Sequence, residues 1–381
     1  EQYQTDEETD PRKFHLPEAV VLPKDAQEIA AVIKLANTYD VPVTVRSGGT
    51  SLAGGAIPVC GGIVLLMERL NKIIELNAEG MYMEVEAGVR TVDIQKYANE
   101  AGFLYAGDPC SAESCLIGGN IATNAGGNKA VRYGTTRDQV YAIEAVTPTG
   151  DIVNVGARLK KKSTGYCLEQ LIMGSEGTLG IITKATLKLL PLCPYKLDLL
   201  AIFTDLDKAV GLVPNLIKAG LNPTSVEFMD NAFVRSSSDY CELKLPHYED
   251  GFCVIVTVET FNEDELESKM EQLDEICSAS GATDVLEADD RVWKLRRNCL
   301  ESTRVLSLVS TSDDLVVPVD QIANCIRHLT KVAENYSFKL FTLAHAGDGN
   351  LHFQILKGEM SDEQWEDEVS RFHAEAYPYV Y

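Results

Sequence analysis

The segment GDPCSAESCLIGGNIATNAGGNKAVRYGTTRDQV, residues 107–140, decides how the rest of the chain is read. Twin glycines at 118–119 and 126–127 bracket small polar residues over a stretch too long for one turn. Few packed cores need bare backbone at that density, because each glycine gives up side-chain burial and costs backbone entropy. Two other segments share the character. VRSGGTSLAGGA (45–56) follows an apolar strand and sets Gly48 and Gly49 beside Thr50 and Ser51, so N–H groups and hydroxyls are available to an anion. It has neither the Rossmann GxGxxG spacing nor a GK[ST] phosphate loop. TGYCLEQLIMGSEGTLGIIT (164–183) places Glu176 between Ser175 and Gly177 at the mouth of an apolar strand. Together the three describe backbone laid along a large, flat, polar ligand.

Outward from these segments the chain divides. Of its 28 glycines, 21 fall in residues 1–190, which carry 18 basic and 23 acidic residues; residues 191–381 carry 16 and 34. A boundary near 191–194 follows, giving domains 1–192 and 193–381, as the 381-residue length also suggests at about 150 residues per domain. In the first half, short β-branched runs (20–23, 41–46, 62–67, 82–89) alternate with helical stretches at 26–37 and 91–101. The second half reads as strand 196–203, helix 208–219, strand 252–259, helix 264–280 and return strand 283–286, a split βαβ layer of ferredoxin-like type. Helix 319–335, strand 338–344 and HAGDGNLHFQIL follow. The fold class is α+β.

Composition excludes several functions. A net charge of −23 repels phosphate backbones and anionic lipid, so neither nucleic acid nor membrane is an expected partner. No apolar run approaches the ~18 residues of a membrane span. Ten cysteines lie scattered without CxxC, and Cys110 and Cys115 lack the third cysteine a ferredoxin-like start would place at Gly118. That usage fits reduced thiols in a cytoplasmic protein. Asn335 heads a formal glycosylation sequon that reads as chance. The N-terminal EQYQTDEETDP has no Met and no signal-peptide core, and the chain stops within a helical pattern, so the sequence reads as a fragment.

His345 and His352 frame HAGDGNLH, with Asp348-Gly349 supplying a turn that folds the second ring back toward the first. Imidazoles held that way suit a divalent transition metal. On spacing alone, two histidines satisfied in a polar turn is the commoner reading.

RSGGTSLAGGA, IGGNIATNAGG with RYGTTRD, GSEGTLGIIT and HAGDGNLH, in this order and spacing, resemble the FAD-linked oxidases of the vanillyl-alcohol oxidase type, over residues 17–381. The closest resemblance is to the D-2-hydroxyacid dehydrogenase branch of D-lactate dehydrogenase and the glycolate oxidase flavoprotein. It implies a two-part FAD-binding domain followed by a ferredoxin-like cap that carries the substrate site. It further implies that Arg46, Ser47, Gly48, Gly49, Thr50, Ser51 and Leu52 cradle the FAD pyrophosphate. Pro109, Ile117, Gly118, Gly119, Asn120, Ala122, Asn124, Ala125, Gly126, Gly134 and Thr135 would line the dinucleotide, and Glu176, Gly180 and Ile182 close over its adenosine side. Some members tether the flavin through histidine or cysteine. No histidine lies between His15 and His247, and Cys110 and Cys115 are misplaced relative to the twin glycines, so non-covalent FAD is expected.

By the same resemblance, His345 and His352 ligate a divalent metal (Fe2+, Zn2+ or Mn2+). A third ligand and a base belong to an SGEHG-type segment that this sequence does not reach; His373 and Glu375 read as a solvated helix face. Arg296, three residues after Trp293, matches the arginine that pairs the substrate carboxylate as a fork, whereas Arg297 and Arg304 read as surface charges. The position that serves the second carboxylate of diacids falls at Ser312, which points to a small monoacid. Asn350 is a hydrogen-bond candidate for flavin or substrate. The implied reaction is oxidation of D-lactate by metal-assisted deprotonation of the hydroxyl and hydride transfer to flavin N5, with electrons passing to the α and β subunits of an electron-transfer flavoprotein. Glycolate oxidation, D-2-hydroxyglutarate oxidation and a catalytically silent flavin-binding subunit are the alternatives.

Overall fold

The computed structural model describes residues 2–8 and 10–380. The chain forms two compact units: one runs to Lys129 and resumes over Tyr133–Leu192, and the other takes Ala130–Arg132 and runs from Cys193 onward.

In the first unit, β1 (Ala19–Val21), β2 (Val43–Arg46) and β3 (Ile63–Leu66) make a parallel sheet in the order β1-β3-β2. The crossover helix α1 (Ala26–Thr38) starts at Asp25, whose side chain accepts the Glu28 N–H at 2.8 Å. It buries Ile29, Ala30, Ile33 and Ala36 along one stripe. A second, antiparallel sheet takes β4 (Ile73–Asn77), β5 (Tyr82–Glu86), β7 (Val140–Val146), β8 (Ile152–Gly156) and β9 (Ile181–Lys188) in the order β4-β5-β9-β7-β8. Between β5 and β7 come α2 (Thr91–Glu100), β6 (Phe103–Leu104), α3 (Ile117–Thr123) and α4 (Ala130–Tyr133), the last of which belongs to the second unit through Arg132; α5 (Leu168–Ile172) precedes β9, and β10 (Leu190–Pro191) pairs with β6. The expected strand 82–89 stops at Glu86, because Gly88 sits against the Met67 and Leu70 carbonyls, where a Cβ would lie 2.2 Å from the Met67 oxygen.

The second unit holds β11 (Tyr195–Phe203), α6 (Leu206–Lys218), β12 (Ser225–Met229), α7 (Asn231–Cys241), β13 (Phe252–Thr260), α8 (Glu263–Ala279) and β14 (Asp284–Glu287). It continues through α9 (Asp290–Arg297), α10 (Cys299–Leu306), β15 (Ser310–Val316), α11 (Ile322–Ala333), β16 (Lys339–His345), β17 (Asn350–Leu356) and α12 (Asp362–Val380). The order β14-β11-β13-β12 with α6 and α8 is the expected split βαβ layer, and β16, β17 and β15 extend it to seven antiparallel strands. Period-2 alternation splits the strands into two cores. Leu199, Val226, Val256 and Phe353 face α6, α8, α11 and α12. Leu200, Met229, Ile255 and Leu343 face α7, α9 and α10. Sequence patterning missed β12, α7 and the separate α9 and α10. Among the described residues no helix is long and apolar enough to cross a membrane.

Candidate functional site

The glycine-rich segments converge in the first unit. Ser47 Oγ accepts the Gly119 N–H at 3.1 Å, tying the loop after β2 to the first turn of α3. The last turn of α3 takes the third segment: Gly174 N–H donates to the Ile121 carbonyl at 3.1 Å and Glu176 N–H to the Ala122 carbonyl at 2.8 Å. Asn124 adopts a left-handed conformation (φ 52°), and its side-chain oxygen accepts from Thr135 Oγ1 at 3.0 Å and Arg137 N–H at 2.9 Å. Ala125 N–H donates to the Asn120 carbonyl, and Ala125 C=O accepts from Thr136. The backbone of 117–137 is thereby pinned around α3.

Two features fit a bound dinucleotide. Among the described residues the N–H groups of Gly48 through Leu52 have no acceptor within the chain, although this loop is largely half-buried, which is the unfilled donor array of an anion nest. Around Gly126 a Cβ would meet nothing within 4 Å, so that backbone borders open space. Gly48 is held closer: its Cβ would fall 2.7 Å from the Ser114 carbonyl. The Glu176 carboxylate reaches to 3.7 Å from the Cβ position of Gly55, across the mouth of the loop.

Several expected lining residues act otherwise. Ile117 and Ile182 belong to the core, so their side chains hold the fold while only their backbone can border a ligand. Asn120 is buried, its amide donating to Thr91 Oγ1 at 2.6 Å. Gly180 is spaced by Ala145, 3.4 Å from its Cβ position. Arg46 donates to the Thr5 carbonyl at 2.6 Å, and its guanidinium folds over Gly49.

The second unit gathers a buried polar cluster. Glu227 in β12 and His345 in β16 are directly opposed cross-strand partners on the face covered by α7, α9 and α10. His345 Nδ1 lies 2.8 and 2.9 Å from the two Glu227 oxygens. Arg296 arrives from the last turn of α9, whose first turn is capped by Asp289, and donates to Glu227 Oε2 from Nε at 3.1 Å and from a terminal nitrogen at 2.7 Å. The Glu227 side chain is 0% exposed and that of Arg296 5%. Burial alone would raise the Glu227 carboxyl, but the His345 and Arg296 charges and hydrogen bonds outweigh it and hold it below the usual range.

His352 stands beside His345, ring centroids 5.2 Å apart and planes at 89°. Burial and the His345 and Arg296 charges push its ring down to about 4, against Asp314 and Glu227. The neutral imidazole is the form that ligates metal. Two imidazoles at that separation fit one ion at about 2.1 Å from each nitrogen, and a carboxylate behind the first ring is the usual support of a ligating histidine. Among the described residues no three or more histidines, cysteines and carboxylates are placed to hold a metal ion together, so the two imidazoles are the ligands this cluster offers.

Arg296, expected to pair a substrate carboxylate, has a partner the sequence did not show: its Nε edge lies against Glu227, because a carboxylate inside the sheet needs a cation at hand. Asn350 was expected to reach flavin or substrate, yet its amide donates to Asp314 and to the Leu315 carbonyl at 3.2 Å, since it opens β17 beside β15. Ser312 sits opposite Gln354 and bonds it, on the strand face shared with Asp314 and His352, and neither of these two strands carries a lysine or arginine. His373 contacts Asp313 at 3.1 Å. Sequence reasoning missed Glu227 altogether; the available signal was a lone carboxylate inside the apolar run SVEFM, buried at all five positions.

A family model described as "FAD binding domain" matches residues 17–156, and one described as "FAD linked oxidases, C-terminal domain" matches 196–376. The chain is 35% identical over 371 residues to a D-lactate dehydrogenase of Anaerostipes hadrus, covering 95% of this chain and 78% of that one. It is 35% identical over 347 residues to the glycolate oxidase subunit GlcD of Bacillus subtilis (90% and 73%). With a D-lactate dehydrogenase of Archaeoglobus fulgidus it shares 36% over 340 residues (87% and 74%). Among solved structures, p-cresol methylhydroxylase with substrate bound superposes with a TM-score of 0.82 at 15% identity, covering 98% of this chain and 81% of that one, a likeness of fold.

Proposed function

The chain belongs to the FAD-linked oxidases of the vanillyl-alcohol oxidase type, in the D-2-hydroxyacid dehydrogenase branch, and on that premise we propose that it oxidises D-lactate to pyruvate and passes the electrons to an electron-transfer flavoprotein. That it is an FAD-dependent hydroxyacid dehydrogenase follows from its relatives; the substrate, the metal, the acceptor and a cytoplasmic site of action are the proposal. The observation that carries it is the cluster of Arg296, His345 and His352 around Glu227, one cation and two imidazoles on one sheet face.

When bound, FAD supplies a hydride acceptor, and a divalent metal on His345 and His352 would make the substrate hydroxyl more acidic. The loop Gly48–Leu52 offers its N–H groups to the pyrophosphate, and the backbone around Gly126, beside open space, borders the dinucleotide, whereas Gly118 packs on Ala87 and Gly134 on Asp138. Arg296, steadied by Glu227, presents positive charge to the lactate carboxylate. Asp314, 3.8 Å from His352 on the shared strand face, repels a second carboxylate and so favours a monoacid.

The equal identity to GlcD keeps glycolate as a second reading. Anaerobic addition of each acid to the oxidised holoprotein tests the choice: D-lactate should bleach the flavin fastest, and purified electron-transfer flavoprotein should restore its colour. Faster bleaching by glycolate, or no reoxidation by that flavoprotein, overturns the corresponding part.

A further inference from the structure

We propose that Glu227 is a positioning residue which, through one buried carboxylate, sets both the tautomer of His345 and the fork of Arg296. The inference rests on the reading of His345 as a metal ligand.

A carboxylate only accepts hydrogen bonds. Both Glu227 oxygens lie within 2.9 Å of His345 Nδ1, so that nitrogen must carry a proton, and in the neutral ring Nε2 is then the basic nitrogen. This is the tautomer in which Nε2 ligates a metal. The same Oε2 that takes the second of these contacts also accepts Nε and a terminal nitrogen of Arg296, which orients the guanidinium plane from the end of α9. A hydroxy acid presents a hydroxyl and a carboxylate a fixed distance apart. Tying the group for one to the group for the other keeps that spacing constant.

The strand gives a reason to treat this as function rather than packing. Met229, two residues on along the same face, is apolar and 0% exposed, and apolar residues in place of the whole buried Glu227–Arg296 pair would suit the fold as well or better. A carboxylate kept there against its burial needs partners: Ser225 Oγ of its own strand donates at 3.3 Å, and its two charge-bearing partners, brought from distant elements, are the arginine and the histidine of the proposed site.

Glutamine separates packing from positioning because it has the same shape but one acceptor and one donor terminus. With its NH2 toward His345, it donates to Nδ1 and forces the proton to Nε2. With its NH2 toward Arg296, donor faces donor and the fork is released.

The test uses the FAD-loaded full chain stripped of metal by a chelator, with 15N-labelled histidine. Long-range 1H–15N correlation should show His345 as the Nδ1–H form in the wild type and the Nε2–H form, or a mixture, in Glu227→Gln. Zn2+ affinity by chelator competition should fall about 10- to 100-fold in Glu227→Gln, with Glu227→Asp in between, while flavin content stays unchanged. An Nε2–H His345 in the wild type, or Zn2+ affinity in Glu227→Gln within about twofold of wild type, overturns the proposal. Should Glu227→Gln fail to fold, the wild-type tautomer decides alone. A wild type that takes up no Zn2+ yet shows the Nδ1–H form overturns the metal reading and leaves the positioning of His345 standing.

Discussion

Nδ1 of His345 stands 2.8 Å from Oε1 of Glu227 although 118 residues separate them, because β12 and β16 run antiparallel and place the two residues directly opposite each other. The pair sits on the sheet face that α9 covers, and Arg296 completes it with two hydrogen bonds. A cation, a carboxylate and two imidazoles thus form one electrostatic unit in the cap domain, and the predictions below separate its parts.

Replacing either imidazole should separate metal from flavin. His345→Ala and His352→Ala are each expected to retain FAD, whose cradle lies in the other unit, and to lose bound metal with more than about a hundredfold of turnover. Metal analysis beside the flavin absorbance checks this; full metal occupancy in both variants would refute it.

FAD should leave the protein on acid precipitation, about one per chain, because residues 16–246 contain no histidine to form a histidyl link. Yellow colour remaining with the washed pellet is the contrary result.

Glycines of the cradle should differ by what surrounds them. Gly48→Ala drives a Cβ to 2.7 Å from the Ser114 carbonyl and 3.0 Å from the Cys115 Cα, backbone atoms with little room to yield, so both Tm and flavin content should fall. Gly126→Ala meets nothing within 4 Å, so Tm of the FAD-free protein should hold while FAD affinity drops about tenfold, or ~1.4 kcal/mol. Thermal melts with and without added FAD distinguish the two.

Monoacids should be strongly preferred. Neither β15 nor β17 carries a lysine or arginine beside Ser312 and Asp314, and Arg296 is already paired with Glu227, so a second carboxylate stays unpaired there at a cost of several kcal/mol, roughly a thousandfold. D-lactate should exceed D-2-hydroxyglutarate in kcat/KM by about that ratio with a dye acceptor. Arg296→Lys should raise KM and lower kcat together, because a lysine cannot replace the fork. Equal kcat/KM for the two acids would remove Ser312 and Asp314 from specificity.

Asp230 should make stability fall with pH. It caps α7 by accepting the Phe233 N–H at 2.8 Å and also takes the Thr342 N–H at 2.6 Å, and burial pushes its carboxyl up from 3.8 to about 7. The folded chain therefore keeps a proton that the unfolded chain releases between these values, so this contribution is complete below about 4 and is lost as pH rises through about 7. Asp230→Asn lacks that dependence. Its Tm relative to wild type should rise from pH 4 to 7 and level off above; a constant difference across that range would exclude the assignment.

What the sequence by itself determined is local. The loop around Gly48–Gly49 and the HAGDGNLH hairpin write their conformation into a few consecutive residues, since a glycine-rich loop or a two-strand turn needs no distant partner to be recognised, whereas Gly118–Gly119 turned out to lie in α3. The α6 and α8 helices were likewise legible from their apolar stripes. Only the tertiary structure decided that Arg296 turns to Glu227, that Asn350 turns to Asp314, and that Ile117 and Ile182 belong to the core. Those outcomes depend on strand register and on where α9 docks, over separations of 69 and 118 residues for the Glu227 contacts. No local spacing encodes them, because a buried charge takes its partner from whichever element the sheet brings opposite it.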